Sequence, residues 1–310
     1  MRVRVGLVLG GGGAAGYGWH TGVLRGLAEI AGLDARTDVE LVGTSAGAFA
    51  AAYLGAGVSG PDLYALAVGE APSWAGQALF ELAGRPGALA DAEPRSRRPA
   101  SPSVLAAAWR AGAPPRIGSL VAGLLPAGTI SGEPQVAPLR VLYEHRTWPP
   151  AVRICAVRLT DGRREVFDAM SDVGVPDAVL ASSAVPGFMQ PVELHGQRYV
   201  DGSAHTPTNA DVLASSGLDV VLISAPMSPP PDRSGLGFEP PLRTWAGRHL
   251  RRETRTLVAS GARVLTFAPA SDVRRRAPAG RRPAAVRGPA ARAAYAQVLA
   301  AGEALAALLA

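Results

Sequence analysis

The 310-residue chain contains no lysine, so all 31 of its basic side chains are arginine. Set against 25 acidic residues, they leave a formal net charge of only +6. So small a surplus, in a chain rich in arginine, alanine, glycine and proline, gives no ground for a nucleic-acid partner. Cysteine is almost absent as well. The single Cys155 excludes an intrachain disulfide, and nothing then requires an oxidising compartment. Its position inside the apolar run Val152–Val157 suits a small buried hydrophobe on a strand. No His/Cys spacing is of the kind that holds a metal, and no cofactor is expected. Long hydrophobic runs are missing too. None approaches the ~18 residues of a membrane span. The N-terminal run Val5–Leu9 is too short for a signal peptide core. The expectation is a soluble cytoplasmic protein. With 48% hydrophobic residues it can build one large α/β domain or two small ones.

What is present alternates. Val3–Leu9 reads as a buried strand, Gly10–Gly13 as a glycine loop, and Gly22–Ile30 as an amphipathic helix. Val39–Val42 is a second strand that runs into Gly43-Thr44-Ser45-Ala46-Gly47, with Ala46–Leu54 helical. Residues 70–150 change character and read as a cap-like insertion. It has helical patches at Trp74–Leu82 and Val104–Trp109, a solvated loop at Arg95–Pro99, and an apolar stretch at Ile117–Leu125. Strands return at Val152–Leu159 and Glu165–Phe167, joined by an Asp161-Gly162 turn. A helix is expected at Ala178–Ala184, then paired strands at Val192–Leu194 and Arg198–Val200, ending on Asp201-Gly202-Ser203. Strand Val220–Ser224, Pro-rich loop Met227–Pro241, basic helix Trp245–Ala259, strand Val264–Phe267 and terminal helix Ala290–Leu309 complete the chain. Such alternation implies a mostly parallel sheet covered on both faces. Residues 1–270 are expected as one domain, with 271–310 an Arg-rich segment and a helix packed on it.

Three segments carry chemistry. Gly11-x-Gly13-x-x-Gly16 fits a dinucleotide fingerprint, but the acid that should end the second strand is missing; Asp34 and Asp38 precede that strand. No Gly-Lys-[Ser/Thr] follows, which removes a phosphate loop of the Walker type. A purely structural glycine turn stays open, and so does an oxyanion hole built from backbone N–H groups at a helix N-terminus. Gly43-x-Ser45-x-Gly47 has the form of a nucleophile elbow, and equally of a helix cap at Ser45. A serine nucleophile needs a base. Of the five histidines, only His205 and His249 follow Asp201, as a Ser-Asp-His order demands. Asp201, at a strand end before Gly202, is the better candidate for direct contact.

Together these segments resemble the patatin-like phospholipase family. The loop Gly11-Gly12-Gly13-Ala14-Ala15-Gly16, the elbow Gly43–Gly47, the run Ala181-Ser182-Ser183-Ala184-Val185-Pro186-Gly187 and Asp201-Gly202-Ser203 stand in family order. The likeness covers roughly residues 4–55 and 150–225. It implies a patatin-like three-layer α/β fold, with a mostly parallel central sheet and helices on both faces. It also implies a lipid acyl hydrolase with Ser45 as nucleophile, Asp201 as base and the N–H groups of Gly11, Gly12 and Gly13 as oxyanion donors. Two departures matter. Ala15 stands where the family has Arg or Lys, which points from phospholipids toward neutral esters. Ser203 stands where it has Gly or Ala. The competing readings are an α/β-hydrolase with a triad and a nucleotide- or lipid-binding protein without turnover. The expected partner is a lipid or ester substrate. The Arg-rich stretches Arg243–Arg255 and Arg274–Arg282, helped by Trp245, are the candidates for peripheral contact with an anionic membrane.

Overall fold

A computed structural model of the chain describes residues 3–84, 100–101, 117–230, 241–270 and 283–310. The expected loop Arg95–Pro99, the helical patch Val104–Trp109 and the stretch Arg274–Arg282 lie outside the described residues, as does most of the Pro-rich loop.

Strand β1 (Val5–Leu9) is buried at every position, as an unbroken aliphatic run between two covered faces should be. Helix α1 (Gly13–Ala31) leads to β2 (Val39–Thr44), and α2 (Ala46–Gly55) starts one residue later. Helices α3 (Gly60–Val68), α4 (Trp74–Ala83), α5 (Ile117–Leu124) and α6 (Glu133–Tyr143) follow. A hairpin of β3 (Val152–Arg158) and β4 (Arg164–Phe167) precedes α7 (Val175–Ser182). A second hairpin, β5 (Val192–Leu194) and β6 (Gln197–Asp201), ends in two 3₁₀ turns, Gly202–Ala204 and Ala210–Ser215. Then come β7 (Val220–Ser224), α8 (Pro241–Ala259), β8 (Arg263–Phe267), α9 (Pro283–Ala300) and α10 (Gly302–Leu309).

The strands form one sheet in the order β5-β6-β3-β2-β1-β7-β8, with β4 also pairing β3. Pairings among β3, β2, β1, β7 and β8 are parallel; those of β4, β5 and β6 are antiparallel. Alternating residues of β1 face opposite layers. Val5, Leu7 and Leu9 belong to the apolar core that also holds side chains of α1, α2, α6 and α7, whereas Val8 belongs to the one that holds Leu250 and Leu257 of α8. The expected three-layer arrangement is therefore the one observed. No helix among the described residues is long and apolar enough to cross a membrane.

Several elements differ from expectation. Helix α1 begins at Gly13, a full nine residues before Gly22, and the terminal helix is two, α9 and α10. Helices α3 and α6 were not apparent from periodicity. Tertiary packing explains much of α1: Gly18, Gly22 and Gly26 lie against α9, where a side chain would not fit. Cys155 is fully buried on β3, and burial pushes its thiol up to about 12.

Candidate active site

Strand β2 delivers Ser45 into an unusual backbone conformation, φ 53 and ψ −116. For a residue with a side chain this costs on the order of 1–3 kcal/mol and persists only where neighbours enforce it. Here the Ser45 N–H donates to Ser182 Oγ at 2.9 Å, and that hydroxyl donates to the Cys155 carbonyl at 2.6 Å. The flanking glycines are required by close approach. A Cβ on Gly47 would lie 1.9 Å from the Leu9 carbonyl oxygen, and one on Gly43 2.7 Å from Ala48 Cα.

The sheet brings Asp201 to Ser45. Leu41 N–H donates to the Ala151 carbonyl, and Leu159 N–H donates to the Arg198 carbonyl. Residues 151 and 159 are an even number apart, so β2 and β6 use successive lengths of the same β3 edge. Strand β2 runs up to Thr44 opposite Cys155, and β6 runs down to Asp201 opposite Ala156. Their ends therefore meet, and the Ser45 hydroxyl lies close enough to the Asp201 carboxylate to favour its ionised form as a hydrogen-bonding neighbour. Both residues are buried, at 7% and 5% exposure. The Ser203 N–H at 2.7 Å and the Ser203 hydroxyl also donate to this carboxylate. Burial raises its pKa above the usual carboxylate value, and the hydrogen bonds from Ser45 and Ser203 work against that rise.

The histidines occupy other roles. His145 and His195 are exposed, and the His249 ring lies 4.8 Å from that of Trp245. His205 is buried just beyond the Gly202–Ala204 turn, while the Ser45 hydroxyl is engaged by Asp201 itself. Asp34 is paired with Arg36 at 2.6 Å in the turn before β2, not at the strand's end where a ribose would need it.

The glycine loop lies directly against this pair. A Cβ on Gly11 would be 2.1 Å from Ser203 Oγ and 3.6 Å from Ser45 Cβ. One expectation needs correction. The Gly11 N–H donates to the Pro207 carbonyl at 2.7 Å, so it is not open to an oxyanion. Gly12 and Gly13 supply the N–H groups at the start of α1, where first-turn amides lack intrahelical acceptors and the helix dipole favours negative charge.

Two supporting residues carried no sequence signal strong enough to single them out. Asn209 adopts φ 51, and its Nδ2 donates to Thr44 Oγ1 at 3.1 Å, to the Gly202 carbonyl at 3.3 Å and to the Thr206 carbonyl at 2.8 Å. Glu253 is the inward acid of α8, buried on one stripe with Leu250 and Leu257. It accepts from the Thr206 and Thr208 hydroxyls and from the Ala210 N–H at 3.1 Å. The chain after Asp201 is thus pinned from both sides. A lone acid at the spacing of the apolar stripe was the one available hint.

A family model described as patatin-like phospholipase matches residues 7–214. Among solved structures, the chain is similar to the crystal structure of VipD from Legionella pneumophila, with 14% sequence identity and a TM-score of 0.46. That alignment covers 98% of this chain and 67% of the other. No curated protein matches the sequence.

Proposed function

The chain belongs to the patatin-like phospholipase family, and on that premise we propose that it is a serine acyl hydrolase of lipid esters that works through Ser45 and Asp201. The observation that carries this reading is the meeting of the two buried side chains at the strained elbow, where the ends of β2 and β6 converge on β3. Asp201 takes the proton from Ser45 as Oγ attacks the ester carbonyl carbon. The carbonyl electron pair moves onto oxygen, opposite the Gly12 and Gly13 N–H groups. Collapse expels the alcohol, which receives the proton from Asp201 and leaves Ser45 acylated. Water then gives a proton to Asp201 as it attacks the acyl carbon, and collapse releases the acid while Asp201 returns that proton to Ser45 Oγ. A carboxylate serves as base because contact is direct and burial brings its pKa toward the working pH. Ser45→Ala and Asp201→Asn should each remove nearly all hydrolysis of p-nitrophenyl esters, with similar losses because the pair acts as a unit. A fluorophosphonate probe should label the wild type and not Ser45→Ala. Turnover persisting in folded Ser45→Ala rejects Ser45 as the nucleophile, and a wild type that neither turns over esters nor takes the probe favours a binding protein instead.

The substrate should be a neutral ester rather than a phospholipid, since Ala15 offers no cation beside the loop. The ratio of kcat/KM for a diacylglycerol to that for a phosphatidylglycerol of equal chains should exceed one, and Ala15→Arg should lower it. A wild type that prefers the phospholipid, unchanged by that substitution, removes this position from head-group choice.

Contact with an anionic membrane would use one face of α8. Arg248, Arg251, Arg252 and Arg255 are exposed at i, i+3, i+4 and i+7. Arg243 is not among them. It is buried and donates to the Ser228 and Pro269 carbonyls. Liposome co-sedimentation should need anionic lipid and weaken with salt.

A further inference from the structure

Helix α1 carries a histidine that the acyl chemistry does not use. His20 is fully buried, with Nε2 2.6 Å from the Gly10 carbonyl oxygen and Nδ1 2.7 Å from Ser224 Oγ. A carbonyl only accepts, so Nε2 carries the proton and Nδ1 accepts from the Ser224 hydroxyl. This network fixes the tautomer. The other end of the same peptide unit is the Gly11 N–H, held by the Pro207 carbonyl at 2.7 Å. The Gly10 N–H is held by the Ser224 carbonyl at 3.0 Å. The Gly10–Gly11 peptide plane is therefore gripped from both sides, by α1 and by the chain that follows Asp201.

We infer that His20 is a positioning residue for the oxyanion loop: it sets the Gly10–Gly11 peptide so that the next two N–H groups face Ser45. A run of four glycines has little conformational preference of its own. Without an external grip the Gly12 and Gly13 amides would sample many directions, and preorganised donors are what such a site needs. Burying an imidazole costs free energy that an aliphatic side chain of similar size would avoid. The two hydrogen bonds are the compensation. Burial also pushes the ring pKa down to about 4, so His20 stays a neutral donor and acceptor through the ordinary working range. It touches neither substrate nor the reacting atoms, and it acts through Gly10.

The inference rests on Ser45 being the nucleophile, and its test separates the two. Three variants suffice: His20→Leu removes both hydrogen bonds, His20→Gln keeps an N–H able to reach the Gly10 carbonyl, and Ser224→Ala removes only the tautomer lock. The measurements are kcat and KM on a p-nitrophenyl ester, the second-order rate of fluorophosphonate labelling, and the thermal midpoint. His20→Leu should lose about 100-fold in kcat and in labelling rate with KM nearly unchanged, the size expected when reacting groups are misplaced by about 1 Å. His20→Gln should recover most of that loss. Ser224→Ala should lose several-fold in kcat without a matching fall in thermal midpoint. Wild-type kcat and labelling in folded His20→Leu overturn the inference, as does a loss that appears only in KM or only in thermal midpoint. Should His20→Leu not fold, Ser224→Ala decides: wild-type kcat there overturns it. Turnover surviving in Ser45→Ala instead overturns the acyl hydrolase reading, whatever His20 does.

Discussion

A carboxylate at position 201 has lost nearly all contact with water, and among the described residues no charged side chain is a cause of its pKa shift. Burial raises its pKa, and what opposes the rise is hydrogen bonding from Ser45 and Ser203. On the proposed mechanism, acylation of Ser45 removes its hydroxyl proton, so Ser203 is then the group that keeps Asp201 ionised for the attacking water. That mechanism requires the ionised form, so rate should rise with pH through the raised pKa. Ser203→Ala should move that acid limb of the kcat profile to higher pH, with the plateau at high pH little changed. An unmoved limb means that the Ser203 hydroxyl does not tune the base. The same shift has a stability consequence. A folded-state pKa above the unfolded value favours the protonated fold. That contribution is full below the ordinary carboxylate pKa and is lost as pH rises through the raised one. Asp201→Asn should therefore melt a few degrees above wild type at pH 7, and the gap should close below about pH 4. A lower melting point at pH 7 would show that the ionised carboxylate stabilises the fold. The placement of Ser45 at a strand-to-helix turn and of Asp201 at a strand end was legible in the sequence because motif and strand end coincide there. The commitment of Gly11 to Pro207 was not, because a backbone partner from a distant loop leaves no local pattern.

At the scale of elements, legibility followed packing. The strands of the parallel core read correctly because each is a short aliphatic run. Helix α3 had its caps in plain sequence: Ser59 accepting from the Asp62 N–H, Pro61 in the first turn and left-handed Gly69 at its end. Its apolar face was simply too short to announce a period. Helix α6 was hidden by Pro134 and Pro138, although a proline in the first turn costs nothing there. Helix α8 read as a basic surface helix, yet its Glu253 holds the Thr206–Ala210 segment, whose Pro207 carbonyl in turn holds Gly11. Glu253→Ala would leave two hydroxyls and one N–H without their buried acceptor, at about 1–3 kcal/mol for each group left unsatisfied. The expected result is a fall of several kcal/mol in denaturant-melt stability and a loss of kcat at any temperature where the protein still folds. Glu253→Gln keeps the shape and one acceptor oxygen, and rotating one threonine hydroxyl satisfies the amide. It should cost far less on both measures. Equal losses in the two variants would mean that the charge, not the acceptor geometry, holds this segment.

Across the whole molecule, the N-terminal and C-terminal parts are joined by the face of α1 that carries Gly18, Gly22 and Gly26. A Cβ on Gly18 would lie 2.2 Å from the Arg287 carbonyl oxygen, and one on Gly22 2.0 Å from that of Ala291. One on Gly26 would lie 2.6 Å from Val298 Cβ. Helix α9 thus rests backbone-close on α1, the helix that also carries His20 and begins at the glycine loop. Glycine spaced by four along a helix weakens it locally, by about 1 kcal/mol per residue relative to alanine. The close contact must offset that cost, and this is why the sequence concealed the first turns of α1. The claim is tested by contrasting two Gly→Ala changes. At Gly22 the new methyl meets a backbone oxygen that cannot swing aside, so the helix propensity gained is outweighed by overpacking of about 1–3 kcal/mol or more. At Gly302, in the first turn of α10, a Cβ would sit 3.4 Å from Ile30 Cγ2, close to ordinary contact, and the change should be neutral or stabilise by about 0.4–1 kcal/mol. Gly22→Ala should therefore lower the thermal midpoint and expose α9 itself to limited proteolysis, while Gly302→Ala does neither. Should Gly22→Ala melt at or above the wild-type temperature with α9 still protected, the close approach of the two helices would not be what binds the C-terminal part to the sheet.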